Sequence, residues 1–160
     1  MDEAERLARL LNAKEKGIRA EAARSLGALG EPALPVLIVA LQNPDWVVRY
    51  RAVEALGRIQ GSRIDDLLIH ALDDPRDHVR YMAAKVLGNR RVSRSATYLE
   101  LRLKDENEYV RKSVARALGE IAVPTSRPAL ESALRTEFSE GVRQALHTAL
   151  IALQESEYRP

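Results

Sequence analysis

The sequence contains no cysteine. That absence excludes disulfides, thiolate metal sites and a cysteine nucleophile. Histidine is nearly as scarce, with three in 160 residues. His70, His78 and His147 form no His-Glu-x-x-His pattern and no His-Glu pair, so neither a metal nor another cofactor is expected. His147 is expected in the core and His70 on an outer helix. Aromatic residues make up only 4%, with one Trp, one Phe and five Tyr. A β-rich core, which favours aromatic and β-branched side chains, is therefore disfavoured. No apolar run approaches the roughly 20 residues of a membrane span. The opening, MDEAERLARLLNA, lacks the basic start and apolar stretch of a secretion signal. The expectation is a cytoplasmic protein with no membrane partner. Charge is also close to balance, at +2, and such an excess does not by itself imply nucleic acid.

What remains is rich in Ala and Leu, 46% hydrophobic and 30% charged. That mixture suits helices that bury one face and solvate the other. The same phrase recurs along the chain: GIRAEAARSLGAL at 17–29, VVRYRAVEALGRI at 47–59, HVRYMAAKVLGNR at 78–90 and YVRKSVARALGEI at 109–121. Its apolar-plus-Arg pair falls at Ile18-Arg19, Val48-Arg49, Val79-Arg80, Val110-Arg111 and Val142-Arg143, in steps of 30, 31, 31 and 32 residues. A second marker, the last Leu of the preceding segment, falls at Leu11, Leu41, Leu72, Leu103 and Leu134, in steps of 30, 31, 31 and 31. Two independent markers keep one period, which defines five units of two helices each.

The first helix of a unit is short and amphipathic, as in LPVLIVALQN, and the recurring phrase forms the second. Asn43-Pro44 and Asp74-Pro75 place a capping residue before a helix-starting Pro, and Asp105 holds the same place one unit later. Gly30 and Gly61 follow second helices and suit a left-handed helix end. A pair of helices this short cannot bury its apolar faces alone, whereas stacked pairs can. The predicted fold is all-α, an α-solenoid of five two-helix repeats in a single domain over 1–154. The units are about 1–30, 31–61, 62–91, 92–122 and 123–154, with a tail at 155–160.

The phrase V-R-x-x-A-x-x-A-L-G-x-I, preceded by N-P or D-P and paired with a P-x-L-x-x-A-L helix, resembles the HEAT-like repeat first named from phycobilisome lyases. Here it reads PDWVVRYRAVEALGRI and EPALPVLIVAL. The resemblance implies that the Val-Arg helix lines a concave face and the other helix the convex side. It specifies fold more than function, since such repeats serve in scaffolds, DNA-binding proteins and lyase subunits. The family's lyase subunits are expected to be longer than this chain. Its deoxyhypusine hydroxylases carry repeated His-Glu pairs for iron, which are absent here.

Arg19, Arg49, Arg80, Arg111 and Arg143 form a ladder, one per unit. Phosphate binding would suit such a ladder. A structural use suits it better, because it occurs in every unit and lies within bonding reach of the preceding loop. Gly27, Gly57, Gly88 and Gly119 lack the strand and G-x-G spacing of a phosphate loop; their missing side chains are expected to let a neighbouring helix approach. No Ser-His-Asp order or activated nucleophile stands out, so a catalytic role is not expected. The informative positions are those of the second helix expected to face away from the core. Among them Trp46, Tyr50, Arg51, Arg58, His78, Tyr81, Met82, Lys85, Tyr109, Lys112 and Arg116 are candidates for partner binding. Trp, Tyr, Met and Arg are enriched at protein interfaces. Over the middle units, five outward cations (Arg51, Arg58, Lys85, Lys112, Arg116) face four acids (Glu54, Asp77, Glu108, Glu120). Phosphate tracking needs a clearer excess. The expected function is a non-catalytic scaffold for a protein or peptide. Nucleic-acid binding and a bilin lyase-like subunit are the alternatives.

Overall fold

Ten α-helices and no strands make up the described residues, 1–158, of a computed structural model of the chain. They are α1 (Glu3–Leu10), α2 (Lys16–Leu29), α3 (Leu34–Ala40), α4 (Trp46–Leu56), α5 (Ser62–Ala71), α6 (Asp77–Asn89), α7 (Ala96–Arg102), α8 (Glu108–Ile121), α9 (Arg127–Thr136) and α10 (Glu140–Glu157). Short 3₁₀ turns at 31–33, 93–95 and 124–126 lead into α3, α7 and α9. The chain divides into two compact units, Met1–Ala71 and the residues from Leu72 onward. The division falls inside the third sequence repeat, between its two helices. Of the residues set apart as a tail, 155–157 continue α10, and 159–160 lie outside the described residues.

In the first unit α2 packs beside α4, with α1 against α2 and α3 against α4. In the second, α6, α8 and α10 pack side by side in sequence, with α7 against α8 and α9 against α10. Each unit thus has a layer of long second helices backed by short first helices. Leu26, Leu56, Leu87 and Leu118, one per recurring phrase, are buried between the layers.

Local chemistry sets the helix starts, though not where the Asn-Pro and Asp-Pro pairs suggest. Asn43 and Asp74 do not cap. Their Oδ1 atoms accept the N–H two residues on, Asp45 (2.9 Å) and Arg76 (2.8 Å), in turns that precede the helix. Asp105 does the same for Asn107 (3.0 Å). The caps are the residues those turns present: Asp45 accepts from Val47 N–H (2.8 Å), and Asn107 accepts from Tyr109 N–H (2.8 Å). At the other end Gly30 takes positive φ (+72°). Gly61 (+132°) does too, but Gly30, with ψ −140°, lies outside the left-handed helical region expected of it. In later repeats Arg91 (+53°) and Ala122 (+54°) have positive φ without being glycine, and Ala122, with ψ +41°, is the left-handed end of α8.

The ladder arginines close each loop. Every one donates through Nη1 to two carbonyl oxygens just before its helix, in the preceding turn or, for one bond of Arg143, in the last turn of α9. Arg19 reaches Ala13 and Lys14 (both 2.7 Å), and Arg49 reaches Asn43 (2.8 Å) and Pro44 (3.2 Å). Arg80 reaches Asp74 (2.9 Å) and Pro75 (3.3 Å), Arg111 reaches Asp105 (2.8 Å) and Glu106 (3.3 Å), and Arg143 reaches Glu137 (3.1 Å) and Leu134 (2.9 Å). Arg80 and Arg111 also reach into the next repeat. Arg80 grips the Asp105 carboxylate at 2.7 and 3.0 Å, and Arg111 grips that of Glu137 at 2.8 and 3.0 Å. These forked pairs fix the spacing of successive repeats.

Glycine sets how closely the second helices approach. A Cβ built on Gly88 would lie 2.6 Å from Ala117 Cα, and one on Gly119 would lie 2.9 Å from Ala149 Cα. One on Gly27 would meet the Arg58 side chain at 2.6 Å.

Candidate functional site

The outward face of α6 and α8 carries a cleft of ≈ 290 Å³. From α6 come Tyr81, Lys85 and Asn89, spaced four apart, so they form one column along the helix. From α8 come Tyr109, Lys112, Arg116 and Glu120, a second column beside it. Ser113 and Ala117 form part of the floor. A second cleft of ≈ 260 Å³ adjoins it, sharing Tyr81 and Tyr109 and adding Asp77, His78 and Asn107. The two tyrosines therefore stand between two recesses. Tyr109 is 66% exposed, high for a ring that could have packed on the core.

The charges around these recesses are not evenly spread. Lys85 and Arg116 are exposed, and Lys112 is half-buried. Burial raises the Glu120 carboxyl above its usual range, while Arg91 and Arg116 pull it back down. At the tyrosine end, Asp77 accepts from Asn107 Nδ2 (2.7 Å) and shares a hydrogen bond with His78 Nδ1 (2.8 Å). The contact with His78 is the main reason its carboxyl is held below the usual range. Asn107 escaped sequence reasoning, which placed the cap at Asp105; its side chain both caps α8 and donates to Asp77.

Two candidates do not face outward. Met82 and Arg51 are buried, at 5% and 7% exposure. Both sit three residues after the conserved-phase Val of their helix, and Ser113 (6%) and Ala145 (7%) at the same phase are buried too. The reason is visible at Ser113, whose Oγ donates to Tyr81 O across the α6–α8 contact (3.1 Å). That phase faces a neighbouring helix and not the open surface. Arg51 is engaged internally, bonding Glu54 at 2.6 Å and stacking over the Tyr50 ring at 5.3 Å from its centroid. Setting this pair aside leaves four outward cations against three acids in the middle units, the same excess. In the first unit Trp46 and Tyr50 lie on α4, half-buried, and Arg58 is exposed with its stem over Gly27. His147 is exposed, not core. Its equivalents Ala23, Val53, Ala84 and Ala115 are fully buried, but no helix among the described residues follows α10 to cover it. Among the described residues no three His, Asp or Glu side chains converge as metal ligands would. No described helix is long and apolar enough to cross a membrane.

The family model for HEAT repeats matches residues 3–78 and 64–151. The chain belongs to the HEAT-repeat family. Solved structures agree on the fold. A chain of the complex of CpcE and CpcF of phycocyanin lyase from Nostoc sp. PCC7120 superposes with a TM-score of 0.81 at 22% identity, over 91% of this chain and 96% of that one. A designed armadillo repeat protein in complex with the peptide (KR)4 gives 0.65 at 21% identity, over 92% and 80%. Human deoxyhypusine hydroxylase in complex with glycerol gives 0.62 at 22% identity, over 95% and 74%. At these identities the likeness is one of fold. The HEAT repeats here are thus all-α modules of the armadillo and HEAT solenoid class. The 96% coverage of the phycocyanin lyase chain also removes the expectation that such subunits are longer. A search of curated proteins finds no match.

Proposed function

We propose that this HEAT-repeat protein is a non-catalytic scaffold that binds a protein or peptide on the open face of its second helices. One observation carries the reading: two tyrosines, Tyr81 and Tyr109, stand between recesses and are ringed by Lys85, Lys112 and Arg116. Aromatic anchors with a polar rim are the composition of interface hot spots. Two parallel columns of side chains suit an extended segment or a helix laid along them. The designed armadillo repeat protein of similar fold, solved with a peptide, supports a peptide as occupant. Trp46, Tyr50 and Arg58 give the first unit a comparable surface. A cytoplasmic location fits this role.

A second reading, a subunit of a lyase-like assembly, is favoured by the near-complete mutual coverage with the phycocyanin lyase chain. On that reading too, the open face serves a protein contact. The test is affinity capture from the native cytosol with wild type and a Tyr81→Ala, Tyr109→Ala double variant. Tyr109 is exposed and Tyr81 half-buried on the outward face, and Ala favours helix, so the variant should keep its helical circular dichroism. A partner retained by wild type and lost by the variant is the expected result. Equal capture of the same proteins by both would place the binding surface elsewhere.

A further inference from the structure

Resting on the scaffold reading, we infer that the α6–α8 cleft recognises an acidic, extended peptide segment with an aromatic or large apolar residue at one end. Lys112 and Arg116 are four residues apart on α8, so they rise about 6 Å along the helix. In an extended chain, side chains two residues apart point the same way and are about 6.6 Å apart. Two carboxylates in the pattern acid-x-acid therefore meet Lys112 and Arg116 together, with Lys85 on α6 across the cleft. Tyr81 and Tyr109 lie toward the N-terminal ends of the same helices, so a bulky residue N- or C-terminal to the acid pair falls between their rings. Among the described residues neither Lys85 nor Lys112 forms an ion pair with a carboxylate of the chain; Lys85 is exposed, and Lys112, half-buried with its ammonium near Gly141 of α10, also lines the cleft.

Charge complementarity decides the occupant. The peptide held by the designed armadillo protein is basic; the cations of this cleft repel such a sequence. A nucleic acid would suit the cations but not the ends. Glu120 closes one end of the cleft and Asp77 stands at the other, so a phosphate backbone running through meets a carboxylate at both. A short acidic segment ends before it reaches them.

The test is selection of a displayed library of random heptapeptides on the intact protein. The expected outcome is enrichment of two Asp or Glu residues spaced two apart beside an aromatic. That bias should vanish, or turn basic, on a Lys85→Glu, Arg116→Glu variant, both positions being exposed. The selected peptide should bind wild type at least tenfold more tightly than that variant, with an affinity that falls as salt rises. Enrichment of Lys or Arg, absence of any bias, or identical selection on both proteins overturns the inference. So does tighter binding of a fluorescent single-stranded thymidine decamer than of the selected peptide. The scaffold reading is separable by the cytosol capture: if the tyrosine variant loses a partner that the charge-reversed variant keeps, the scaffold stands and the acidic ligand falls. If neither variant loses it, both fall.

Discussion

Arg19 shows what one missing carboxylate does. Arg80 and Arg111 each bond two loop carbonyls and then fork onto an acid of the next repeat, Asp105 or Glu137. The equivalent position for Arg19 is Asn43, which makes the same turn bond to the N–H two residues on but carries no charge. Arg19 Nε is buried without a hydrogen-bond partner. Asn43→Asp should supply it and raise stability by about 1 kcal/mol, the worth of a partly exposed charge-assisted bond. The measurement is a urea midpoint, expected to rise with an unchanged slope; an unchanged midpoint would mean that residue 43 does not reach Arg19. Glu137 gives the pH counterpart. Its hydrogen bonds from Arg111 hold its carboxyl below the usual range, so the stability it contributes is present above the unfolded-state pKa of about 4.3. That contribution is lost as pH falls through this value toward the lower folded one. Glu137→Gln should therefore be less stable than wild type near neutrality, with the gap closing between roughly pH 5 and 3. Parallel stability curves across that range would contradict the pairing.

At the scale of the element, the sign of a glycine substitution separates packing from propensity. Gly17 sits in α2 with nothing within 4 Å of a Cβ placed on it, whereas at Gly88 such a Cβ meets Ala117 Cα at 2.6 Å. In a helix Ala is better than Gly by about 1 kcal/mol. Gly17→Ala should therefore stabilise by up to that amount, while Gly88→Ala should destabilise by about 1–3 kcal/mol as α6 and α8 are forced apart. Thermal midpoints moving in the same direction would show that the close approach is not what this glycine serves. Burial supplies a second test: Leu87 is fully buried, and Leu87→Ala should cost about 2–5 kcal/mol. Helix identity and pairing were legible because the Val-Arg and Leu markers recur at one period. Helix starts were legible only to within two residues, since Asn43 and Asp74 have the chemistry of a cap and the geometry of the turn before it. The burial of Met82 and Arg51 was not legible from apolar spacing. A second helix in a stack has two contact sides, one toward its own partner helix and one toward the neighbouring repeat. A Met, an Arg, a Ser and an Ala serve equally on the second side, so no hydrophobic pattern marks it.

For the whole molecule, repetition explains both what is conserved in phase and what varies. Leu, Gly and Arg recur because each repeat must be covered, approached and spaced in the same way. The outward positions of α6 and α8 carry no such duty, yet they hold Tyr81, Tyr109 and three cations. The composition of that face is therefore open to be set by a partner. The sequence pointed to this face through the gathering of rare aromatics on the second helices. It did not reveal that Arg51 pairs with Glu54 on α4, nor that Lys85, Lys112 and Arg116 share one cleft with a single acid, Glu120. The most direct measurement is site-specific photo-crosslinking in the native cytosol. A photoreactive phenylalanine analogue would replace Tyr109 on α8 or, as the control, Tyr98 on α7; these residues are 66% and 51% exposed. A discrete protein adduct from position 109 and none from position 98 is the expected result. Adducts from position 98 alone, or the same adducts from both, would contradict a partner bound on the face of the second helices.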